Sequence, residues 1–177
     1  MSKSLENLSP EQKRQLLAKL LQEKANKPQN FPLSFAQKRL WFLDQLQRSS
    51  SAYNIPAALH LTGKLNIICL QKSLNQIIER HEVLRSSFTV VKDEPIQQVF
   101  PPLNLQKKLN LSLIDLQTLP TQEQEQQVKQ LIKETSTQPF DLSQIPLFRA
   151  KLIKLNSEEH VFLFTMHHII SDYFSMR

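Results

Sequence analysis

The chain has 177 residues, with 22 Lys and Arg against 16 Asp and Glu for a formal charge of +6, enough length for one domain with a buried core of its own. The single cysteine, Cys69, has no partner for an internal disulfide, so a reducing, cytoplasmic compartment is expected. The single glycine, Gly63, excludes the P-loop and dinucleotide fingerprints, which need several glycines for close backbone approach to phosphate.

The start is lysine-bearing and carries no apolar run of signal-peptide type. Ser9-Pro10-Glu11 suits a helix N-terminus: Ser caps, Pro fits the first helical position and the acid favours the positive end. Leu16, Leu17, Leu20 and Leu21 then form one stripe, expected either to pack on the domain or to dock on a neighbouring module. Residues 26–32 hold two prolines in a polar setting and read as a linker, giving a leader of residues 1–31 and a domain of residues 32–177. A helix is expected over 33–46, with Trp41 and Phe42 as core residues. A strand over 53–62 is interrupted near Pro56, and Leu70, Leu74, Ile77 and Ile78 mark a helix within 65–80. Strands at 84–91 and 96–100, joined by a turn at Lys92-Asp93-Glu94-Pro95, make a hairpin.

Beyond two further prolines come a short strand near 105–113, a Gln- and Glu-rich helix over about 121–135, and strands at 147–155 and 160–166 joined by Asn156-Ser157-Glu158-Glu159. Helices follow strands irregularly, so the fold class is α/β with a mixed sheet rather than a strict βαβ repeat. No apolar stretch reaches the roughly 20 residues of a membrane helix. The basic residues are scattered, with no run of the nucleic-acid-binding kind.

The chain closes on Thr165-Met166-His167-His168-Ile169-Ile170-Ser171-Asp172-Tyr173 and four more residues. Val161-Phe162-Leu163-Phe164 is apolar at every position, as for a strand covered on both faces. Side chains alternate in extended backbone, so His167 and His168 point to opposite sides and only one faces a given cavity. That geometry, with no Cys or His cluster elsewhere, argues against a metal site. Structural histidines at a strand end and a catalytic histidine both remain open on these residues alone. Catalysis needs an imidazole able to take a proton, and Asp172 is suited to fixing the loop if an arginine pairs with it.

Three stretches resemble the ordered signatures of condensation domains from nonribosomal peptide synthetases. Leu33-Ser34-Phe35-Ala36-Gln37-Lys38-Arg39-Leu40-Trp41-Phe42-Leu43 is similar to the first, Arg80-His81-Glu82-Val83-Leu84-Arg85-Ser86-Ser87-Phe88 to the second (RHExLRxxF), and His167-His168-Ile169-Ile170-Ser171-Asp172 to the third, HHxxxDG, up to its glycine. The resemblance implies an N-terminal chloramphenicol acetyltransferase-like subdomain preceded by the leader helix. It also implies amide formation between a carrier-bound acyl or peptidyl thioester and an aminoacyl acceptor. His168 is then the catalytic histidine. His167, Asp172, Arg85 and Arg80 are its structural support, with Arg85 raised as the partner of Asp172, while His81 reads as surface or structural.

No cofactor or metal is implied; substrates ride on the phosphopantetheine arms of peptidyl or acyl carrier proteins, which with other synthetase modules are the implied partners. Two departures stand out: Tyr173 occupies the glycine position, where a bulky residue strains any positive-φ conformation, and the second subdomain of the family is not represented. The chain alone is therefore expected not to catalyse condensation, and to expose an apolar surface that favours self-association. An acyl-CoA-dependent acyltransferase and a non-catalytic carrier-binding module are the alternatives.

Overall fold

In a computed structural model of the protein, residues 9–25, 27–48, 50–102 and 109–172 are described. Helix α1 spans Pro10–Ala25, with Ser9 and Gln12 exchanging reciprocal capping hydrogen bonds. Leu17, Leu20 and Leu21 are all more than half exposed. Those three leucines of the leader stripe are therefore left largely uncovered by the described residues of the domain.

Strand β1 (Gln29–Pro32) lies inside the stretch read as a linker and pairs antiparallel with β4 (Glu94–Val99). β4 also pairs with β3 (Ser86–Val91), giving a three-stranded sheet of order β1-β4-β3. The β3–β4 turn is tighter than the four residues expected, because Lys92 and Asp93 take φ of 52° and 65° and close a two-residue hairpin loop. Pro95 sits within β4, where β1 no longer reaches: their pairing ends at Pro32 opposite Ile96.

Two helices pack against the core. α2 (Phe35–Leu46) begins with a capping box between Ser34 and Gln37, and α3 (Ile67–Arg80) begins at Asn66, whose side chain accepts the Cys69 N–H. α2 turns Leu40 and Trp41 toward the core, leaving Phe42 57% exposed, against the expectation of a core position. The cause is rotational: Phe35, Phe42 and Leu46 are spaced seven and four apart and share the face opposite the packing one.

The second sheet has order β2-β7-β6-β5, formed by β2 (Asn54–Thr62), β5 (Ser112–Asp115), β6 (Phe148–Lys154) and β7 (Glu159–His167). β2 runs unbroken through Pro56 because it is an edge strand, where a missing N–H costs no ladder bond on its open side. Gly63 ends it at φ +98°, its N–H donating to the Glu158 carbonyl at 2.7 Å in the β6–β7 turn. β5 and β6 are parallel and are connected through α4 (Thr121–Thr137), one βαβ unit in an otherwise antiparallel sheet. Of the strand expected near 105–113, residues 105–108 lie outside the described residues, and the observed β5 starts later.

Alternation along β7 divides the core. Val161 and Leu163 pack with Ile153 and Leu116 under α4, while Met166 joins Phe148, Leu152 and Ile78 on the other face. Leu152 and Ile153 are 0% exposed, each removing an apolar side chain from water at about 2–3 kcal/mol.

Candidate functional site

β7 ends at His167, whose N–H donates to the Leu147 carbonyl at 3.0 Å, and His168 opens a 3-10 turn over His168–Ile170. The change from strand to turn separates the two rings. His167 is 1% exposed, between Tyr53 (centroids 6.3 Å apart) and Phe140 (6.2 Å). Its Nδ1 accepts the Ile169 N–H at 3.1 Å, so in the neutral ring the proton sits on Nε2. Desolvation, reinforced by the neighbouring His168, pushes its pKa down to about 4. His167 is thus held neutral as a structural acceptor that shapes the turn.

His168 faces outward and is exposed. Its N–H donates to the Tyr53 carbonyl at 2.8 Å, and its ring Nδ1 lies 2.7 Å from the Ser171 carbonyl. A carbonyl can only accept, so in the neutral ring Nδ1 carries the proton and Nε2 is the acceptor, on an exposed side chain. This is the tautomer a base needs. Ser171 is buried and its Oγ donates to the Asp172 carbonyl at 3.4 Å. Asp172 is exposed and is engaged by contacts of its own. Tyr173, expected to perturb the loop, lies outside the described residues.

Arg85, expected as the partner of Asp172, is buried at 7% exposure at the end of a 3-10 turn over Glu82–Arg85. Its Nη1 donates to the Phe100 carbonyl and its Nη2 pairs with Glu82 Oε1 at 3.3 Å. The guanidinium is anchored first within its own turn, because Glu82 is three residues back and is reached without closing a loop. It clamps β4's end to β3's start, reinforced by the Phe100 N–H donating to the Arg85 carbonyl at 3.0 Å. Arg80 is exposed in the last turn of α3, where a cation complements the helix dipole, and His81 is the exposed C-cap.

The three sequence stretches converge around the 168–170 turn. α2, from the first, contacts that turn. His81, Val83 and Leu84 of the second, with Ile170 and Ser171 of the third, line one groove of about 530 Å3 between α3 and the sheet. Its remaining wall is apolar, including Leu59, Ile77, Phe162 and Phe164. Sequence reading missed this groove, although the exposed-face alternation of β2 and the second apolar row of α3 carry its signal.

A second cleft of about 610 Å3 lies between α2, β3 and the loop after α4, with Trp41, Asp44, Phe88, Phe140 and Asp141 among its walls. Burial, then the Asp141 charge, raises the Asp44 pKa, with Arg48 opposing. Among the described residues no three His, Cys, Asp or Glu side chains are grouped to hold a metal ion. No described helix is long and apolar enough to cross a membrane.

Comparison with known proteins places this geometry. The family model described as Condensation domain matches residues 27–177. Tyrocidine synthase 3 of Brevibacillus parabrevis is 43% identical over 142 residues, covering 80% of this chain and 2% of that protein. Bacitracin synthase 3 of Bacillus licheniformis is 40% identical over 154 residues, covering 87% of this chain and 2% of that protein. The chain thus spans only a few hundredths of the length of these relatives. Among solved structures, the starter condensation domain of rhizomide synthetase superposes with a TM-score of 0.71 at 25% identity, covering 82% of this chain and 35% of that one. The first condensation domain of the calcium-dependent antibiotic synthetase, in complex with a substrate analogue, gives a TM-score of 0.75 at 24% identity over 84% of this chain and 34% of that one.

Proposed function

Because this chain belongs to the condensation-domain family, we propose that it supplies the histidine-bearing side of a site where an amine attacks a carrier-bound thioester. The observation that carries this reading is the Nδ1···Ser171 carbonyl contact of 2.7 Å, which leaves His168 Nε2 free to accept. In the proposed step the acceptor amine forms a C–N bond to the thioester carbonyl carbon, and the C–S bond breaks. Nε2 first orients the neutral amine and then takes its proton, which passes to the departing thiolate of the phosphopantetheine arm. Orientation supplies much of the rate, since a thioester needs little activation toward a neutral amine. Asp172 and His167 hold the loop and take no proton.

The donor and acceptor are carried to the site by peptidyl or acyl carrier proteins of a cytoplasmic synthetase. The exposed row on α2 supports a carrier-facing surface: Phe35 is 93%, Phe42 57% and Leu46 65% exposed on one helix face. That row also favours a second reading, in which the chain binds carriers without catalysing. The domain proper is taken as residues 32–177, following a leader of residues 1–31.

The test joins this chain to the remainder of a condensation domain and supplies two loaded carrier proteins. Amide formation is expected, falling about 10²–10⁴-fold in His168→Ala. An unchanged rate in that variant sinks the proposed role of His168. Carrier binding by the wild-type chain, lost in Phe42→Asp, with no amide in any reconstitution, selects the binding-module reading. Transfer from acyl-CoA in the absence of carriers replaces both with a stand-alone acyltransferase.

A further inference from the structure

Arg149 stands opposite Thr165 in the β6–β7 ladder, so its side chain shares the sheet face of His167. Its guanidinium carbon lies 3.7 Å from the centroid of the Phe140 ring. Its Nη1 donates to the Gln138 carbonyl at 2.8 Å and its Nη2 to the Pro139 carbonyl. Asn54 Nδ2 donates to the Ser136 and Gln138 carbonyls at 2.7 and 2.9 Å. These acceptors belong to the end of α4 and the residues after it, where a helix has no donors of its own left to offer. The contacts therefore satisfy a helix end, and they also fix where Phe140 sits.

Phe140 is buried, and its ring meets His167 edge to face. With Tyr53 on another side, it holds His167 so that Nδ1 receives the Ile169 N–H. That bond draws residues 168–170 into the 3-10 turn, and the turn brings the Ser171 carbonyl to His168 Nδ1. We propose that Arg149 is a positioning residue for His168, acting through Phe140 and His167 to select the tautomer with Nε2 unprotonated. The proposal deepens the reading of His168 as the working base. An arginine suits the task because its planar fork reaches two carbonyls while its face lies on an aromatic ring; a lysine supplies the charge without the fork.

The experiment is a two-bond 1H–15N spectrum of the imidazoles in this chain at mildly alkaline pH, where each ring's tautomer is read from its nitrogen shifts. In wild type His168 is expected with its proton on Nδ1 and His167 with its proton on Nε2. Arg149→Met and Phe140→Leu are expected to convert His168 to the mixed tautomers of a free imidazole, and Arg149→Lys to retain most of the Nδ1–H form. A His168 that keeps its Nδ1 proton in Arg149→Met overturns the proposal, even if that variant is less stable. If Arg149→Met does not fold, the same retention in Phe140→Leu overturns it. The readout needs no substrate, so it stands or falls separately from amide formation.

Discussion

The two faces of the four-stranded sheet are built from the same strands and end up opposite in character. Under α4, Ile153, Leu163 and Val161 are 0%, 2% and 8% exposed. On the α3 face, Leu59 is 54% and Ile77 47% exposed, and the groove of about 530 Å3 stays open beside His81 and Ser171. The difference separates the face that carries stability from the margin where the motif residues lie. α4 is held at both ends of its contact with the sheet, by the βαβ crossover and by the Arg149 and Asn54 clamps, and it seals its face. α3 covers only part of the other face, and the motif-bearing turns collect at the uncovered margin.

Substitutions that open the closed face should have the largest effect. Ile153→Ala is expected to lower unfolding free energy by about 2–5 kcal/mol in urea titrations, because the cavity cannot collapse beneath α4. Acid should act on the same face through His167. Its pKa falls from 6.5 to about 4 in the folded chain, so between those values the unfolded chain binds a proton that the native one refuses. Stability should therefore drop by about 3 kcal/mol as pH falls through that window and lose nothing more from this group below it. His160, lowered by burial and then by Lys154, acts with the same sign. Urea midpoints followed against pH, with His167→Gln flattening the curve by its share, check the assignment.

Asn54→Ala removes two donors to carbonyls at the α4 end and is expected to cost about 1–3 kcal/mol, a smaller loss read from the same titrations. Smallest of all, Leu59→Ser and Ile77→Ser on the open face should change stability by less than about 1 kcal/mol. Their effect should appear instead in sedimentation, as weaker self-association than the wild-type chain shows. A cost for Leu59→Ser as large as that for Ile153→Ala would erase the contrast between the faces.

Local signals made much of this legible in advance. The Ser9 cap of α1, the apolar repeat of α3 and the β6–β7 pair all follow from spacing and alternation within a few residues. β1 was hidden because Gln29–Pro32 has a prolyl end and four exposed side chains; only β4, more than 60 residues away, makes it a strand. Arg85 was hidden for a related reason. An arginine at a helix-to-strand junction is ordinarily exposed, and burial here depends on the Phe100 carbonyl arriving from β4. Phe42 was misjudged because α2 carries two apolar rows, and sequence does not say which one meets the core.

By itself the sequence determined the order and type of most elements, the ordered resemblance of its three stretches, and that the paired histidines do not both face one cavity. These depend on short-range stereochemistry: a side chain's direction repeats every two residues in a strand and about every 3.6 in a helix, whatever lies beyond. Only the tertiary structure decided that His167 is buried neutral, that the Ser171 carbonyl fixes the proton of His168, and that one sheet face is sealed while the other stays open. Each of those depends on groups distant in sequence meeting at hydrogen-bond or van der Waals range, and desolvation and partnering act only once they meet.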